Sequence, residues 1–236
     1  MSIAFARNSN YGIGTTVTFP GGNSNGNLIV VGIFQSQTTV DSVTGVTDLE
    51  GNTYVRAAGA TQPDSQGSGY YVYYYAFVTN GSNGIGPDNT ITVAGSNTPY
   101  HIVAVEYSGV VSSSPVDSSG GSGDNGTNTL SYGITLTLTN ELIVSMTACQ
   151  GLTAQNWSGL SGTPRAGSNI GTTMCFFDDF VNNLSGLNTV TTVDDGANSY
   201  PAGFSVSFLP SSQGVIVGPR PGYGMTGRRR FSNLVG

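Results

Sequence analysis

The chain has 236 residues, of which 35 are glycine, 8% are charged and none is lysine. This length suits one large β domain or two small ones. A formal net charge of −6 excludes a nucleic-acid-binding body, because an acidic surface repels phosphate. The missing lysine excludes Schiff-base chemistry and a Walker-type phosphate loop. Two cysteines are too few for a metal cage.

The start, Met1–Asn8, lacks a basic leader followed by a long apolar run, and no stretch approaches the length of a membrane span. We therefore expect neither a secretion signal nor a membrane segment, and we expect the chain to be cytoplasmic, exported by another route or released when a cell lyses.

Short runs of β-forming residues, separated by glycine, asparagine, serine and proline, follow one another along the chain. The predicted strands are Thr15–Phe19, Leu28–Gln35, Thr38–Thr47, Tyr54–Ala58, Tyr70–Thr79, Thr90–Ala94, His101–Ser108, Ile134–Thr139, Leu142–Ala148, Thr163–Gly167, Thr172–Val181, Thr189–Val193 and Gly203–Leu209. Apolar and polar residues alternate most cleanly in Thr135–Thr139 and Phe204–Phe208, as in half-buried antiparallel strands. The pattern predicts an all-β, antiparallel, jelly-roll-like β-sandwich.

The strand order also repeats. The matched segments are Leu28–Val30 with Leu142–Val144, Arg56–Gly59 with Arg165–Gly167, Phe77-Val78 with Phe180-Val181, Thr90–Val93 with Thr189–Thr192, and His101–Tyr107 with Gly203–Phe208. The repeat predicts halves 1–112 and 128–211, either as two small sandwiches or as parts of one larger sandwich. We favour a single domain over 1–211, because Ser112–Asn128 reads equally well as one surface loop.

The last residues, 212–236, have no strand or helix period and are here called the arm. They carry four of the seven arginines, whereas the preceding body is acidic. Three interpretations remain open: docking on a partner, a solvated tail and contact with nucleic acid. We favour docking, because arginine and aromatic residues are typical interface anchors. The candidate partner-binding residues are Arg228, Arg229, Arg230, Phe231 and Tyr223.

The segment Tyr70–Val78 is unusually rich in tyrosine. Alternation along a strand places Tyr71, Tyr73 and Tyr75 on one face. Three roles for that face remain open. The strand is central and the face is covered, the face contacts another subunit, or its rings stack on a glycan together with Trp157.

Catalytic and metal-binding patterns are weak. His101 is the only histidine and lies in an apolar strand, without a nucleophile elbow elsewhere. The remaining acid–base candidates are Glu106, Glu141 and Asp117, and for Glu106 pairing with an arginine is the commoner outcome. The pairs Asp178-Asp179 and Asp194-Asp195 point to opposite faces of a strand and cannot converge alone on Ca²⁺. We therefore predict no enzyme, no metal and no cofactor.

Two sequence segments resemble those of a known group of domains. Val43–Tyr54, which contains Asp48, Gly51 and Asn52, and the Glu106–Val110 segment followed by Pro115–Asp117 resemble a broad group of β-sandwich domains in phage structural proteins and bacterial surface proteins. The group often has tryptophan where this chain has Tyr54. The resemblance spans Thr15 to Leu209 and does not include the arm. It implies a jelly-roll-like or immunoglobulin-like sandwich with a structural or adhesive role.

Composition and resemblance together predict a bacteriophage virion structural protein, foremost a capsid decoration or cement protein, with a head or tail fibre next. The expected partners are the major capsid or tail protein of the same virion and further copies of the chain, with no membrane, with nucleic acid disfavoured and with a glycan left open. The expected location is the virion, assembled in the host cytoplasm. A carbohydrate-binding module or adhesin is the alternative, and a glycan-active enzyme that uses Glu106 is the third.

Overall fold

The computed structural model describes residues 2–36, 38–64, 67–96, 100–123, 129–150, 157–158, 162–170, 173–194 and 201–211. Within these residues it contains antiparallel β-strands and no helix. The strands are β1 (Ala4–Asn8), β2 (Gly12–Gly14), β3 (Thr16–Phe19), β4 (Leu28–Gln35), β5 (Val43–Asp48), β6 (Val55–Asp64), β7 (Gly67–Phe77), β8 (Asn89–Gly95), β9 (Tyr100–Ser108), β10 (Val116–Ser122), β11 (Thr129–Leu136), β12 (Glu141–Gln150), β13 (Trp157–Ser158), β14 (Thr163–Ile170), β15 (Thr173–Asn182), β16 (Gly186–Asp194) and β17 (Ala202–Phe208). The predicted all-β, antiparallel class is confirmed.

The strands form four sheets, two in each half of the chain. The first inner sheet has the order β1-β9-β4-β7-β6, with β2 also paired to β9, and the first outer sheet has the order β3-β8-β5. The second inner sheet has the order β10-β17-β12-β15-β14, and the second outer sheet has the order β11-β16-β13. Strand for strand the two orders are the same, and in each half the chain passes back and forth between its two sheets, as in a jelly roll.

The register aligns the halves residue by residue. A β-bulge interrupts the pairing between Arg56 and Ala58 on β6, and one interrupts it between Pro164 and Ala166 at the same place on β14. Since bulges are specific features of a strand, the shared bulge supports the repeat independently of the sequence. The register also corrects two sequence matches. Phe77 pairs with Leu28 as Val181, not Phe180, pairs with Leu142. Arg56 is equivalent to Pro164, not to Arg165.

One predicted loop contains a strand. The segment Ser112–Asn128 includes β10, which pairs with β17 and so belongs to the second half. Its sequence hides this, since it lacks alternating apolar residues and carries Gly120 and Gly121. The glycines are required by close packing: a Cβ on Gly120 would lie 2.4 Å from the carbonyl oxygen of Gly133 on β11.

The four sheets stack as layers around three apolar clusters. Each half has a cluster between its own outer and inner sheets, built around Ile33 and Ile91 in the first half and Ile143 and Val190 in the second. The third and largest cluster lies between the two inner sheets. Both faces of the inner sheets are therefore covered, which explains why every residue of β4 and β17 is buried.

Side-chain volumes are matched across this central contact. Gly32 of β4 faces Met146 of β12, and a Cβ on Gly32 would lie 2.8 Å from the Met146 Cε atom. Two residues further along the equivalent strands, Phe34 corresponds to Ala148. Large and small residues thus alternate between the halves, as close packing requires.

The contacts between the inner sheets are reciprocal. The register makes Tyr75 equivalent to Asp179 and Phe208 equivalent to Tyr107. The Tyr75 ring packs against Phe208, with centroids 6.0 Å apart, and the Tyr107 hydroxyl donates a hydrogen bond to Asp179. Each side therefore uses the same pair of positions, as in an isologous interface with a twofold axis along the strands.

Two buried tyrosines tie the inner sheets together. The Tyr71 hydroxyl donates to the carbonyl oxygen of Ala202 at 2.7 Å, and the Tyr73 hydroxyl donates to that of Phe204 at 2.6 Å. Both tyrosines are fully buried. The bonds satisfy hydroxyls that would otherwise be costly in an apolar layer.

We expect Tyr71→Phe and Tyr73→Phe each to lower the free energy of unfolding by about 1 kcal/mol, because each removes one buried hydrogen bond without a large cavity. Chemical denaturation measures the change. Tyr75→Phe is the control, since this ring is half-buried and packs against Phe77 and Phe208, and it should change stability by less than about 0.5 kcal/mol. Equal losses in all three variants would contradict a specific role for the two buried hydroxyls.

Candidate functional site

The tyrosines proposed for surface contact lie mostly inside the molecule. Tyr71 and Tyr73 face the second inner sheet and have no exposed ring surface, so their assignment to a glycan or subunit contact is corrected. The cause is the second half of the chain, which covers the face that the sequence left unassigned. Tyr75 on the same face is half-buried.

The other predicted contact residues are only partly covered by the structure. Trp157 lies on β13, where its backbone pairs with Asp194. The candidate residues of the arm are Tyr223, Arg228, Arg229, Arg230 and Phe231. All of them fall outside the described residues.

The point from which the arm departs is fixed. Val110 and Pro210 form a β-bridge, and the Ser211 amide donates to the Gly109 carbonyl oxygen at 2.7 Å. The Leu209 amide likewise donates to Pro115 at 2.8 Å. The last described residues are thus held against the connection between the halves, and the arm begins from a rigid position.

This position defines one end of the molecule, here called the arm end. Because Tyr71 contacts Ala202 and Tyr73 contacts Phe204, β7 and β17 run in the same direction. Their last residues, and the first residues of the antiparallel neighbours β4 and β12, therefore lie at the same end. The turns that precede β4 and β12 are also at the arm end.

A buried carboxylate, Glu106, organises the arm end of the first half. Its Oε2 atom lies 3.1 Å from the Arg7 Nε atom and accepts from the Asn23 side chain at 2.8 Å. Its Oε1 atom accepts from the Ser24 amide at 2.8 Å and from the Asn27 side chain at 2.7 Å. The sequence expectation that Glu106 pairs with an arginine is confirmed. The charge is fully compensated, which suits a structural role better than proton transfer.

Asp48 holds a second network beside it. Its Oδ1 atom accepts from the Asn52 amide at 2.9 Å. Its Oδ2 atom accepts from the Tyr54 hydroxyl at 2.9 Å and from the Asn89 side chain at 3.0 Å. Asn89 also donates to the Asn23 side-chain oxygen at 2.9 Å, which joins this network to that of Glu106.

The two sequence segments that carry the family resemblance are therefore neighbours in the fold. Asp48, Asn52 and Tyr54 come from one segment and Glu106 from the other. Burial raises the pKa of Tyr54 well above its usual range, with the Asp48 charge adding to the effect, so its hydroxyl stays protonated as a donor. Sequence analysis missed Asn23 and Asn89, because no spacing marks them and only the fold brings them together.

We expect Asp48→Ala to lower the free energy of unfolding by about 3 kcal/mol, because buried donors on Asn52, Tyr54 and Asn89 lose their common acceptor. Denaturant unfolding measures it. The matched control is Asp88→Ala, since Asp88 is exposed and, among the described residues, accepts an exposed hydrogen bond from the Gly21 amide. A loss for Asp48→Ala no larger than for Asp88→Ala would show that the network contributes nothing.

A third polar group links the halves. The Arg165 Nε atom lies 2.9 and 2.8 Å from the two oxygens of Asp179, and its guanidinium carbon is 3.7 Å from the centroid of the Phe5 ring. The Asn8 side chain donates to the Arg165 carbonyl oxygen at 3.0 Å. Asp179, one of the four aspartates considered for Ca²⁺, is thus paired with arginine. Asp178 and Asp194 lie on β15 and β16, and Asp195 lies outside the described residues.

His101 lies on β9 and is buried beside Tyr11, whose hydroxyl is hydrogen-bonded to its Nδ1 atom, and beside the Phe34 ring. Burial lowers the pKa of His101 from 6.5 to about 4. The imidazole is therefore neutral at pH 7. No serine or cysteine is hydrogen-bonded to it among the described residues.

This pKa makes stability depend on pH. The neutral ring is favoured in the folded chain, so its contribution is complete above pH 6.5 and is lost progressively as the pH falls toward 4. We expect the wild type to lose about 3 kcal/mol relative to His101→Gln over that range. Denaturant unfolding at several pH values tests this. Parallel curves for the two proteins would contradict it.

The remaining acid–base candidates do come together in part. Asp117 on β10 and Ser207 on β17 are the side-chain neighbours of the Glu141 carboxyl group, whereas Glu106 is engaged in its own network. Asp117 also accepts from the Thr137 amide at 2.9 Å and from its hydroxyl at 2.7 Å.

The two outer faces of the stack carry hydroxyls. In the first outer sheet Thr16, Thr92 and Thr47 form one row across the strands, and Thr18 and Thr90 are hydrogen-bonded at 3.1 Å. The exposed positions of β11 and β16 in the second outer sheet include Thr129, Ser131, Thr135 and Thr189. Both faces are neutral over these residues.

Comparison with known proteins finds no matching family model, no similar curated protein and no similar solved structure. Within the described ranges, no helix has the length and apolar character needed to cross a membrane. In the same ranges no group of three or more histidine, cysteine, aspartate or glutamate side chains is placed to hold a metal ion.

Proposed function

We propose that this chain is a bacteriophage virion structural protein, a capsid decoration or cement protein, whose stacked sandwiches form the exposed body and whose arm docks on neighbouring subunits. The observation that carries the proposal is the division of charge along the chain. Residues 1–211 contain three arginines against thirteen acidic residues, a formal net charge of −10, whereas residues 212–236 contain four arginines and no acidic residue.

The arm is suited to reach a neighbour. It leaves from Ser211, whose backbone is hydrogen-bonded to Gly109, so its starting point does not move with respect to the body. Its length, residues 212–236, allows a span of at most about 80 Å. Many copies on one particle would each add a weak contact at high effective concentration, which makes the whole attachment stable.

The body is suited to close packing. The rows of threonine and serine on its outer faces bring no charge to a neighbour, although the body as a whole is strongly acidic. The polar side chains around Glu106, Asp48 and Asp179 pair with one another, as expected of a rigid building block. The carbohydrate-binding alternative loses support, because Tyr71 and Tyr73 are buried.

Co-sedimentation with capsids and tails of the virus that encodes the chain tests the proposal. We expect the full chain to pellet with the particles and a chain that ends at Ser211 to remain in the supernatant, because the truncation removes every arm contact. Binding should weaken as salt is raised, since screening acts on exposed charges.

A triple substitution in the full chain separates charge from length. Arg228→Gln, Arg229→Gln and Arg230→Gln together should reduce binding at least tenfold, whereas Ser232→Ala with Asn233→Ala in the same arm should leave it unchanged. If the full chain does not pellet with any particle, the proposed function is wrong. If the truncated chain pellets equally well, the docking role of the arm is wrong.

A further inference from the structure

Glu141 is a buried carboxyl group that lacks a full set of partners. Its side chain is completely buried at the arm end of the second half, and its Oε1 atom accepts from the Leu138 amide at 2.6 Å. Its Oε2 atom is buried and has no hydrogen bond of good geometry from the described residues, although the carboxyl group lies within hydrogen-bonding range of Asp117 and Ser207. The neighbouring side chains are Asp117 and Ser207. A buried carboxylate oxygen without a donor is costly.

The first half shows how the same place is neutralised there. Glu106 lies opposite Ile29 in the register, and Ser207 lies opposite the equivalent Ile143. Asn27 immediately precedes Leu28, the first residue of β4. Glu141 immediately precedes Leu142, the equivalent leucine of β12, so Asn27 corresponds to Glu141. The carboxylate of this site thus lies on β9 in the first half and on β12 in the second.

The second half has no positive charge at the position equivalent to Arg7. In the first half Arg7 follows the bulge on β1 and lies 3.1 Å from Glu106. The corresponding bulged stretch of β10 holds Asp117 and Ser118. One carboxylate facing a guanidinium has become two carboxyl groups facing each other.

The described arginines are all engaged elsewhere. Their ion pairs are Arg7 with Glu106, Arg56 with Asp41, and Arg165 with Asp179. Two adjacent carboxyl groups do not both ionise readily without a compensating cation. The pair must therefore hold either a proton or a cation, and none of the described arginines supplies the positive charge.

We propose that the Asp117–Glu141 pair binds a calcium ion. The available atoms are all oxygens, namely the free Glu141 Oε2 atom, the Asp117 carboxylate and the Ser207 hydroxyl, and hard divalent cations prefer such ligands. Water would complete the coordination. With only two carboxylates, the expected dissociation constant is about 10⁻⁴–10⁻³ M, as for extracellular calcium modules.

Burial raises the pKa of Glu141, and the Asp117 charge also raises it, against the lowering effects of the Leu138 amide and the Ser207 side chain. A shared proton is therefore the alternative to calcium at this pair.

The test uses the full chain, with thermal unfolding followed by circular dichroism in millimolar CaCl₂ and in EDTA, at equal ionic strength adjusted with NaCl. We expect calcium to raise the unfolding midpoint by several degrees, because it binds the folded chain alone. Equilibrium dialysis with radioactive calcium should give one ion per chain.

Glu141→Gln should abolish both effects while retaining an oxygen for the Leu138 amide, and Asp117→Asn, which keeps an acceptor for Thr137, should weaken them at least tenfold. The matched control is Asp88→Asn, since Asp88 is an exposed carboxylate outside the pair, and it should respond to calcium as the wild type does. The proposal is overturned if the wild type shows neither a shift nor bound calcium, in which case the pair holds a proton. It is equally overturned if Glu141→Gln responds as the wild type does.

Discussion

The burial of the two inner sheets against each other is the constraint on which the rest of the structure depends. It requires that strands such as β4 and β17 be apolar on both faces and that every polar atom in the layer have a partner. Tyr71 and Tyr73 meet the requirement through carbonyl oxygens of β17, and Asp179 meets it through Arg165 and Tyr107. The same contact makes the two sandwiches one body, because each half alone would expose a large apolar face.

The arrangement separates packing from charge. The interior is occupied by apolar layers, the outer faces carry threonine, and the carboxylates Asp48, Glu106 and Glu141 lie at the arm end, where Glu106 and Glu141 are fully buried. A chain organised in this way has a rigid body with one distinctive end. The basic arm begins at that end, so attachment and orientation would be determined together.

The sequence predicted the β class, most strand positions and the repeat, because alternation at Thr135–Thr139 and the Leu28–Val30 match depend on local pattern alone. It did not predict β10, whose glycines are needed for close approach and disguise a strand. Nor could it decide which face of the Tyr71–Tyr75 strand is covered, since that depends on a partner sheet more than a hundred residues away. The arm-end networks needed Asn23 and Asn89, which become neighbours only through the fold.

The reciprocal contacts across the centre have a consequence for symmetry. Two separate jelly rolls that met through these positions would form a homodimer with two equivalent carboxyl-terminal extensions. In the single chain, the residues after β9 instead connect to β10, and those after β17 lead into the arm. Joining the copies in one chain therefore replaces a symmetric dimer by an asymmetric molecule in which only the second half is followed by an arm. It also frees equivalent positions such as Tyr75 and Asp179 to diverge, which a true dimer would forbid.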